Sequence, residues 1–240
     1  RNIGIGYEAA KDYTTGQDNV AIGFQAMESI TTGSTNVAIG DRTLDALTTG
    51  SNNIAIGQLA GSTTSTDMTG GIFLGQQAGL YMDGDYNIGI GYTAVEGSST
   101  TGNNTGSHNI GIGYQPMINV SSGTDNIALG QYALQDVTTG NQNIGIGHDA
   151  GKEITTGTGN IVIGKDSGDS LVDGNYNVLI GEDAGQDITS GSHNLIIHAG
   201  NVAADAPLSA TASEQLRISS DDKVWFAGYD GNLYLGRNHL

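Results

Sequence analysis

A five-residue motif recurs along most of the chain: Asn, an apolar residue, a small residue, an apolar residue and Gly, as in NVAIG at residues 19–23. It occurs 12 times, and eight of the eleven intervals between copies are 17 residues long. The first residues of the copies are Asn2, Asn19, Asn36, Asn53, Gly71, Asn87, Asn109, Asn126, Asn143, Asn160, Asn177 and Asn194. Repeats of fixed length are typical of solenoids, in which each turn packs only against its neighbours. We therefore predict an all-β fold, a parallel β-solenoid (β-roll) with 17-residue turns.

Within the motif, successive residues point to opposite sides of a strand, so Val20 and Ile22 share one side and Ala21 lies on the other. The equivalent residues of successive turns form a column. The Val20 and Ile22 columns hold only Ile, Val or Leu in all 12 copies, which predicts that they line the core. The Ala21 column is never polar, and a strand that is apolar on both sides is buried on both. We therefore predict that something covers the Ala21 column along its whole length, and the simplest cover is another copy of the same chain.

The remainder of each turn has its own columns. A small residue such as Ala26 comes three residues after the closing Gly, and an apolar residue such as Ile30 comes seven after it. A second Gly, as at Gly33, follows two Thr, and such repeated Gly indicates a positive φ or a very close approach. The motif Asn is suited to bond the backbone of the neighbouring turn inside a corner. We expect two short strands and two bends in each turn.

The composition excludes several kinds of partner. The chain has 25 acidic and 8 basic residues, for a net charge of -17, so it is a poor match for nucleic acid or an anionic membrane surface. It has no Cys, which rules out disulfides and thiolate metal sites. No apolar run approaches the length of a membrane span. We expect no nucleic-acid partner and no membrane insertion.

The repeats NVAIG, NIAIG, NIGIG and NIALG, joined by AL…TTG, resemble the repeats of phage tail fibres. They are also similar to the head repeats of trimeric autotransporter adhesins. Both families build parallel β-rolls that associate as homotrimers. The resemblance covers residues 2–198, and the 17-residue period with its TTG turn is closer to the fibre repeats than to the adhesin heads. It implies a homotrimeric tail fibre in the virion or, as the alternative, an adhesin head on the bacterial cell surface.

The period stops after residue 198, which divides the chain into a repeat domain (1–198), a linker of small residues (199–214) and a C-terminal β module (215–240). The module is predicted to contain three short strands, at residues 215–219, 223–227 and 232–236. It resembles the segment that precedes the self-cleaving intramolecular chaperone of many tail fibres, including the endosialidase type. Because the chain opens inside a repeat, we expect it to be part of a longer protein.

We expect a structural and host-recognition function without enzymatic activity or cofactor. The expected partners are further copies of the chain, other virion tail proteins, and a host cell-surface glycan or protein receptor. Three weak sites on one stiff trimer would gain avidity. The irregular parts of the chain are the insertion at residues 98–108 and the C-terminal module, whose aromatic residues suit stacking on sugars. The receptor-binding candidates are Trp225, Tyr229, Tyr234 and Arg237.

A glycan-depolymerising tailspike is the enzymatic alternative, because paired carboxylates can act as acid and base on a glycosidic bond. The candidate carboxylates lie at variable positions near bends, as solvated surface charges do: Asp12 with Asp18, Asp166 with Asp169, and Glu182, Asp183 and Asp187. No catalytic residue is predicted among them.

His198 occupies the column in which the other 11 copies have Gly. If this column faces a threefold axis, three copies of His198 could converge and hold a metal ion or an anion. The simpler interpretation is that His198 caps the end of the Gly column.

Overall fold

The computed structural model describes residues 1–62, 67–99, 104–199 and 210–220, and the backbone of two further strands at 223–229 and 232–235. Each motif copy forms one short strand. Numbered in chain order, the strands are β1 (Ile3–Ile5), β2 (Val20–Ile22), β3 (Val37–Ile39), β4 (Ile54–Ile56), β5 (Ile72–Leu74), β6 (Ile88–Ile90), β7 (Ile110–Ile112), β8 (Ile127–Leu129), β9 (Ile144–Ile146), β10 (Ile161–Ile163), β11 (Val178–Ile180), β12 (Leu195–His198), β13 (Leu216–Ser220), β14 (Lys223–Tyr229) and β15 (Asn232–Leu235).

The chain forms two compact units, unit 1 at residues 1–125 and unit 2 at residues 126–240. In unit 1, strands β1–β7 pair in sequence order, all parallel and in register. In unit 2, strands β8–β12 pair in the same way and β13 continues the parallel order, whereas β14 and β15 pair antiparallel. The predicted all-β parallel β-solenoid with 17-residue turns is confirmed.

The inner side of the strands is formed by the Ala21 column. Ala55 is 0% exposed, whereas Ile54 and Ile56 on either side of it are 40% and 41% exposed. The prediction that the Val20 and Ile22 columns line the core is therefore wrong. The prediction that another copy of the chain covers the Ala21 column is also wrong, because the chain's own opposite wall covers it.

The opposite wall lies close to the inner side of most strands, and this short distance decides which side of the strand is inner. A Cβ atom on Gly89 would lie 2.5 Å from the carbonyl oxygen of Ala94, in the opposite wall of the same turn. The equivalent distance is 3.2 Å between Gly4 and Ala9. In most turns a Gly or Ala therefore faces inward, and Ile, Val or Leu faces outward. The apolar column of Ile30 is also buried, at Ile30, Leu47, Val120, Val137, Ile154, Leu171 and Ile188.

Where the inner residue is large, glycines make room for it. Phe73 is fully buried, and a Cβ atom on Gly79 or Gly71 would come within 2.2 Å or 2.6 Å of its ring. Two turns earlier the inner residue is Ala38, and the position equivalent to Gly79 holds the buried Leu44. Interiors pack at high density, so the two positions have to share a fixed volume.

The wall opposite the strands is not a second strand, and the expectation of two strands in each turn is wrong. Alternate residues of this wall, such as Gln25 (φ 53°) and Met27 (φ 48°), have left-handed backbone conformations. An extended strand cannot form with such φ values. The wall still bonds to both neighbouring turns, because Gln25 N–H donates to the oxygen of Tyr7 (2.8 Å) and Met27 N–H to that of Thr43 (2.9 Å).

The motif Asn residues form the predicted buried ladder. The side-chain amide of Asn36 donates to the carbonyl oxygen of Gly50 (2.9 Å) and to Oδ1 of Asn19 (3.0 Å). Its own Oδ1 accepts from the backbone N–H of Asn53 (2.9 Å) and from the Asn53 side chain (3.0 Å). The ladder thereby satisfies polar groups that the corner removes from water.

The two glycine columns are required for different reasons. The motif Gly has a positive φ, 137° at Gly23, and a Cβ atom there would lie 2.1 Å from the oxygen of Gly40. The Gly that follows the two Thr is a case of close approach, since a Cβ atom on Gly33 would lie 2.3 Å from the oxygen of Gly50. The motif Gly column therefore combines a positive φ with a close approach, whereas the second Gly column is required by close approach.

Candidate functional site

The outward side of the strands carries two columns of apolar side chains, the Val20 and Ile22 columns. Ile54, Ile56, Ile112 and Ile146 are among the exposed large hydrophobic residues. Because the strands are parallel and in register, these side chains lie one above another along each unit. We name the two columns together the apolar stripe.

The apolar stripe has no charged or polar residue, although the chain carries a net charge of -17. Its 24 positions hold only Ile, Val and Leu, and 14 of them lie in unit 1. The largest apolar patch of a typical monomer covers about 300–600 Å², and a larger one marks an interaction site. Fourteen partly exposed aliphatic side chains lie together along this unit, so the stripe is the main candidate for an interaction surface.

Two further columns border the apolar stripe. The before-Asn column contains the residue preceding each motif Asn, and the after-Gly column contains the residue following each motif Gly. The Tyr92 and Tyr114 rings of the after-Gly column stack with centroids 5.2 Å apart. In the before-Asn column, the Tyr86 and His108 rings stack at 5.3 Å. Exposed aromatic rings therefore line both edges of the stripe at β6 and β7.

Within the described residues, one group of side chains has the spacing of metal ligands. Nδ1 of His148 lies 2.9 Å from a carboxylate oxygen of Asp149 and 3.8 Å from one of Asp166. However, the Nζ of Lys152 lies 3.5 Å from the other oxygen of Asp149, and Lys165 forms an ion pair with Asp166. The two lysines already balance the carboxylates, so the group is explained as a surface ion-pair cluster.

The predicted insertion is anchored at its base by Asn104. The side-chain amide of Asn104 donates to the carbonyl oxygens of Tyr81 (2.7 Å) and Ser98 (3.0 Å), and its Oδ1 accepts from the Ser98 N–H (3.1 Å). Residues 100–103 lie outside the described residues. Just before the insertion, burial raises the pKa of Glu96 to about 7.

The carboxylates considered for glycan cleavage are on the solenoid surface. Asp166 pairs with Lys165, as described above. Burial, as the largest cause, raises the pKa of Asp169 and of Asp183, and the charge of Asp166 adds to both shifts. These contacts do not assign an acid and a base to any of them.

The other predicted site residues lie towards the end of the chain. Trp225 and Tyr229 belong to β14 and Tyr234 to β15, whose side chains lie outside the described residues, as does Arg237. The linker is described only at 199 and 210–214. These receptor-binding assignments stay predictions.

His198 lies on the inner side of β12. It is 3% exposed, and its Nδ1 is 3.1 Å from the Oγ of Ser219 in the neighbouring strand β13. Three copies of His198 could meet on an axis only if its column faced outward. The His198 ring instead faces inward and contacts Ser219 of its own chain. The position favours the end-cap interpretation.

The surface that reasoning from sequence missed is the apolar stripe. The signal was present in residue size: the outward columns hold only large aliphatic residues, while the inner column is mostly Gly and Ala. Polarity alone could not separate the two sides, because both are apolar.

In the described part of the chain we find no helix with the length and hydrophobicity of a membrane span. Comparison with known proteins gives no match to a family model, a curated protein or a solved structure. The fold itself defines the class: a β-solenoid repeat protein with an apolar outward stripe.

Proposed function

We propose that this chain is a structural and host-recognition segment of a homotrimeric phage tail fibre, without enzymatic activity, that mediates attachment to the host cell surface. The observation that carries the proposal is the apolar stripe, which leaves large aliphatic side chains such as Ile54 and Ile56 partly in water. Burying them contributes roughly 25 cal/mol for each Å² removed from water. Further copies of the same chain fit a surface that repeats every turn.

The proposed mechanism is mechanical and multivalent. Three chains that bury their stripes against one another gain buried apolar area that the thin core of a single roll lacks. The trimer presents the C-terminal β module, with Trp225, Tyr229, Tyr234 and Arg237 as the receptor-binding candidates. Three weak contacts to a repetitive cell surface then act together and raise the apparent affinity.

The assembly is tested by multi-angle light scattering of the purified chain. The expected mass is three times the 24.6 kDa of one chain. A mass of one chain at micromolar concentration would overturn the proposed trimer.

Attachment is tested with fluorescently labelled protein on a panel of bacterial strains that differ in surface glycans. We expect binding to a subset of strains, and loss of that binding in the Trp225→Ala/Tyr234→Ala variant with its mass unchanged. Tyr132→Ala is the matched control, because Tyr132 is a partly exposed Tyr on a repeat turn that lies outside the apolar stripe and its two border columns. Equal binding by all three proteins would refute the assignment of the receptor site, and binding to no strain would refute host attachment.

A further inference from the structure

We propose that the two border columns meet between chains: the before-Asn column of one chain lies against the after-Gly column of the next, turn for turn. The inference rests on the proposed trimer and names the contacts that close it. The occupant of each border is therefore a second copy of this chain. Tyr86 of one chain would lie beside Tyr92 of the next, and His108 beside Tyr114 one turn further along.

The pairing follows from the geometry of a ring of chains. Around an axis parallel to the solenoid, rotation carries one edge of each apolar stripe to the opposite edge of the next. Rotation does not change the position along the axis, so a turn meets the same turn of its neighbour. The two edges differ in sequence, which makes the before-Asn and after-Gly columns distinguishable partners.

The exposed aromatic rings fit such a contact. Tyr86 is 53% exposed and Tyr92 is 38% exposed. Each ring already stacks on a ring of the next turn in its own column, as described above, so these side chains are held in place before assembly. Aromatic contacts contribute binding free energy beyond that of the buried area, and rigid rings lose little entropy on binding.

The charges of the border columns are compatible with turn-for-turn pairing. In none of the 12 turns are both border residues charged at neutral pH, although the chain has 25 acidic residues. Asp18 would meet Phe24, and Asp41 would meet Thr35. Slipping by one turn in one direction would instead place Asp18 against Asp41, and like charges across an interface are unfavourable.

The test is cysteine cross-linking, for which the chain is suited because it has no Cys. The reporter is the double variant Tyr86→Cys/Tyr92→Cys, treated with a short bismaleimide and separated on a denaturing gel. The two positions of one chain lie on opposite edges of β6, whose three residues alone extend about 10 Å. A short linker therefore reports contact between chains.

The matched controls are the two single variants and Tyr86→Cys/Gln76→Cys, which moves one cysteine to the preceding turn of the same column. We expect three covalently linked chains from the reporter, chiefly uncross-linked chains from each single variant, and a much weaker product from the shifted pair. Circular dichroism checks that all variants fold alike.

Four other results would each overturn one part of the proposal. A trimer by light scattering whose reporter does not cross-link would refute the border pairing and leave the proposed trimer intact. Efficient linking of a single variant to itself would show that like edges meet, which also overturns the pairing. A stronger product from the shifted pair would refute turn-for-turn register. A linked pair of chains with a two-chain mass would support the border contact and refute the trimer.

Discussion

At the scale of single residues, the buried Asn of each turn satisfies backbone groups that a sharp corner cannot pair with one another. Asn36 joins three consecutive turns, from Asn19 to Asn53, and also bonds the carbonyl oxygen of Gly50. Neither a hydrophobic residue nor a carboxylate provides both a donor and an acceptor there. Hydrogen bonding therefore determines which residue occupies the motif Asn position, whereas side-chain size determines which residues occupy the strand positions beside it.

Replacing Asn36 by Ala is expected to destabilise the fold by about 2–4 kcal/mol, because it leaves several buried polar groups without partners. The measurement is the midpoint of urea unfolding. Asn52→Gly is the matched control, since Asn52 is an exposed amide with a left-handed backbone (φ 62°) that Gly tolerates. Similar midpoints for the two variants would contradict the role of the ladder.

Glu96 makes stability depend on pH. Burial raises its pKa from 4.5 to about 7 in the folded chain, so between these values the folded state holds a proton that the unfolded state has lost. Stability from this group therefore falls as the pH rises through that window. Glu96→Gln is expected to raise the melting temperature more at pH 8 than at pH 5. An equal change at both pH values would exclude this explanation.

At the scale of a turn, the strand and the opposite wall share one fixed internal volume. In the turn that contains β5, Phe73 lies opposite Gly79. In the turn that contains β3 (turn 3), Ala38 lies opposite Leu44. Gly79 (φ 68°) and Leu44 (φ 51°) have similar backbone conformations, so a side chain at residue 79 is excluded by the Phe73 ring rather than by the backbone. The two arrangements are alternative ways to fill the same space.

This predicts that two damaging substitutions compensate each other. Phe73→Ala should cost about 3–5 kcal/mol by opening a cavity, and Gly79→Leu should be destabilising because of its overlap with the ring. The double variant should recover most of the loss, since it reproduces turn 3. Urea unfolding of all four proteins gives the coupling energy. Additive losses would contradict volume sharing.

The sequence was sufficient for the period, the strand positions and the Asn ladder, because each rests on a local rule. It was insufficient to assign which side of each strand faces the interior of the roll and which faces outward. Val20, Ala21 and Ile22 are all apolar, so alternation gives two sides without saying which is inner. The decision comes from the distance to the opposite wall, which depends on the left-handed residues near Gln25 and Met27. No hydropathy pattern predicts such backbone conformations.

At the scale of the whole molecule, the two apolar sides of the strands also concealed the apolar stripe, because hydropathy did not show which side is outward. Once the Ala21 column is assigned to the interior, the described residues leave the apolar stripe partly exposed. The aromatic borders at Tyr86 and Tyr92 could be located in the sequence, but their relation to the stripe required the orientation of the strands. The receptor-binding candidates in β14 and β15 depend on composition alone and stay predictions.

The central claim is that the apolar stripe, rather than the Ala21 column, joins the chains. The most direct test compares light-scattering mass and circular dichroism for Ile54→Glu/Ile56→Glu and for Ala55→Glu. We expect three chains for the unmodified protein, and a single chain with an unchanged spectrum for the outward variant. Ala55→Glu should lose the β spectrum itself, because it buries a charge within its own turn. An outward variant that remains trimeric, or an Ala55→Glu protein that is folded and monomeric, would contradict the account.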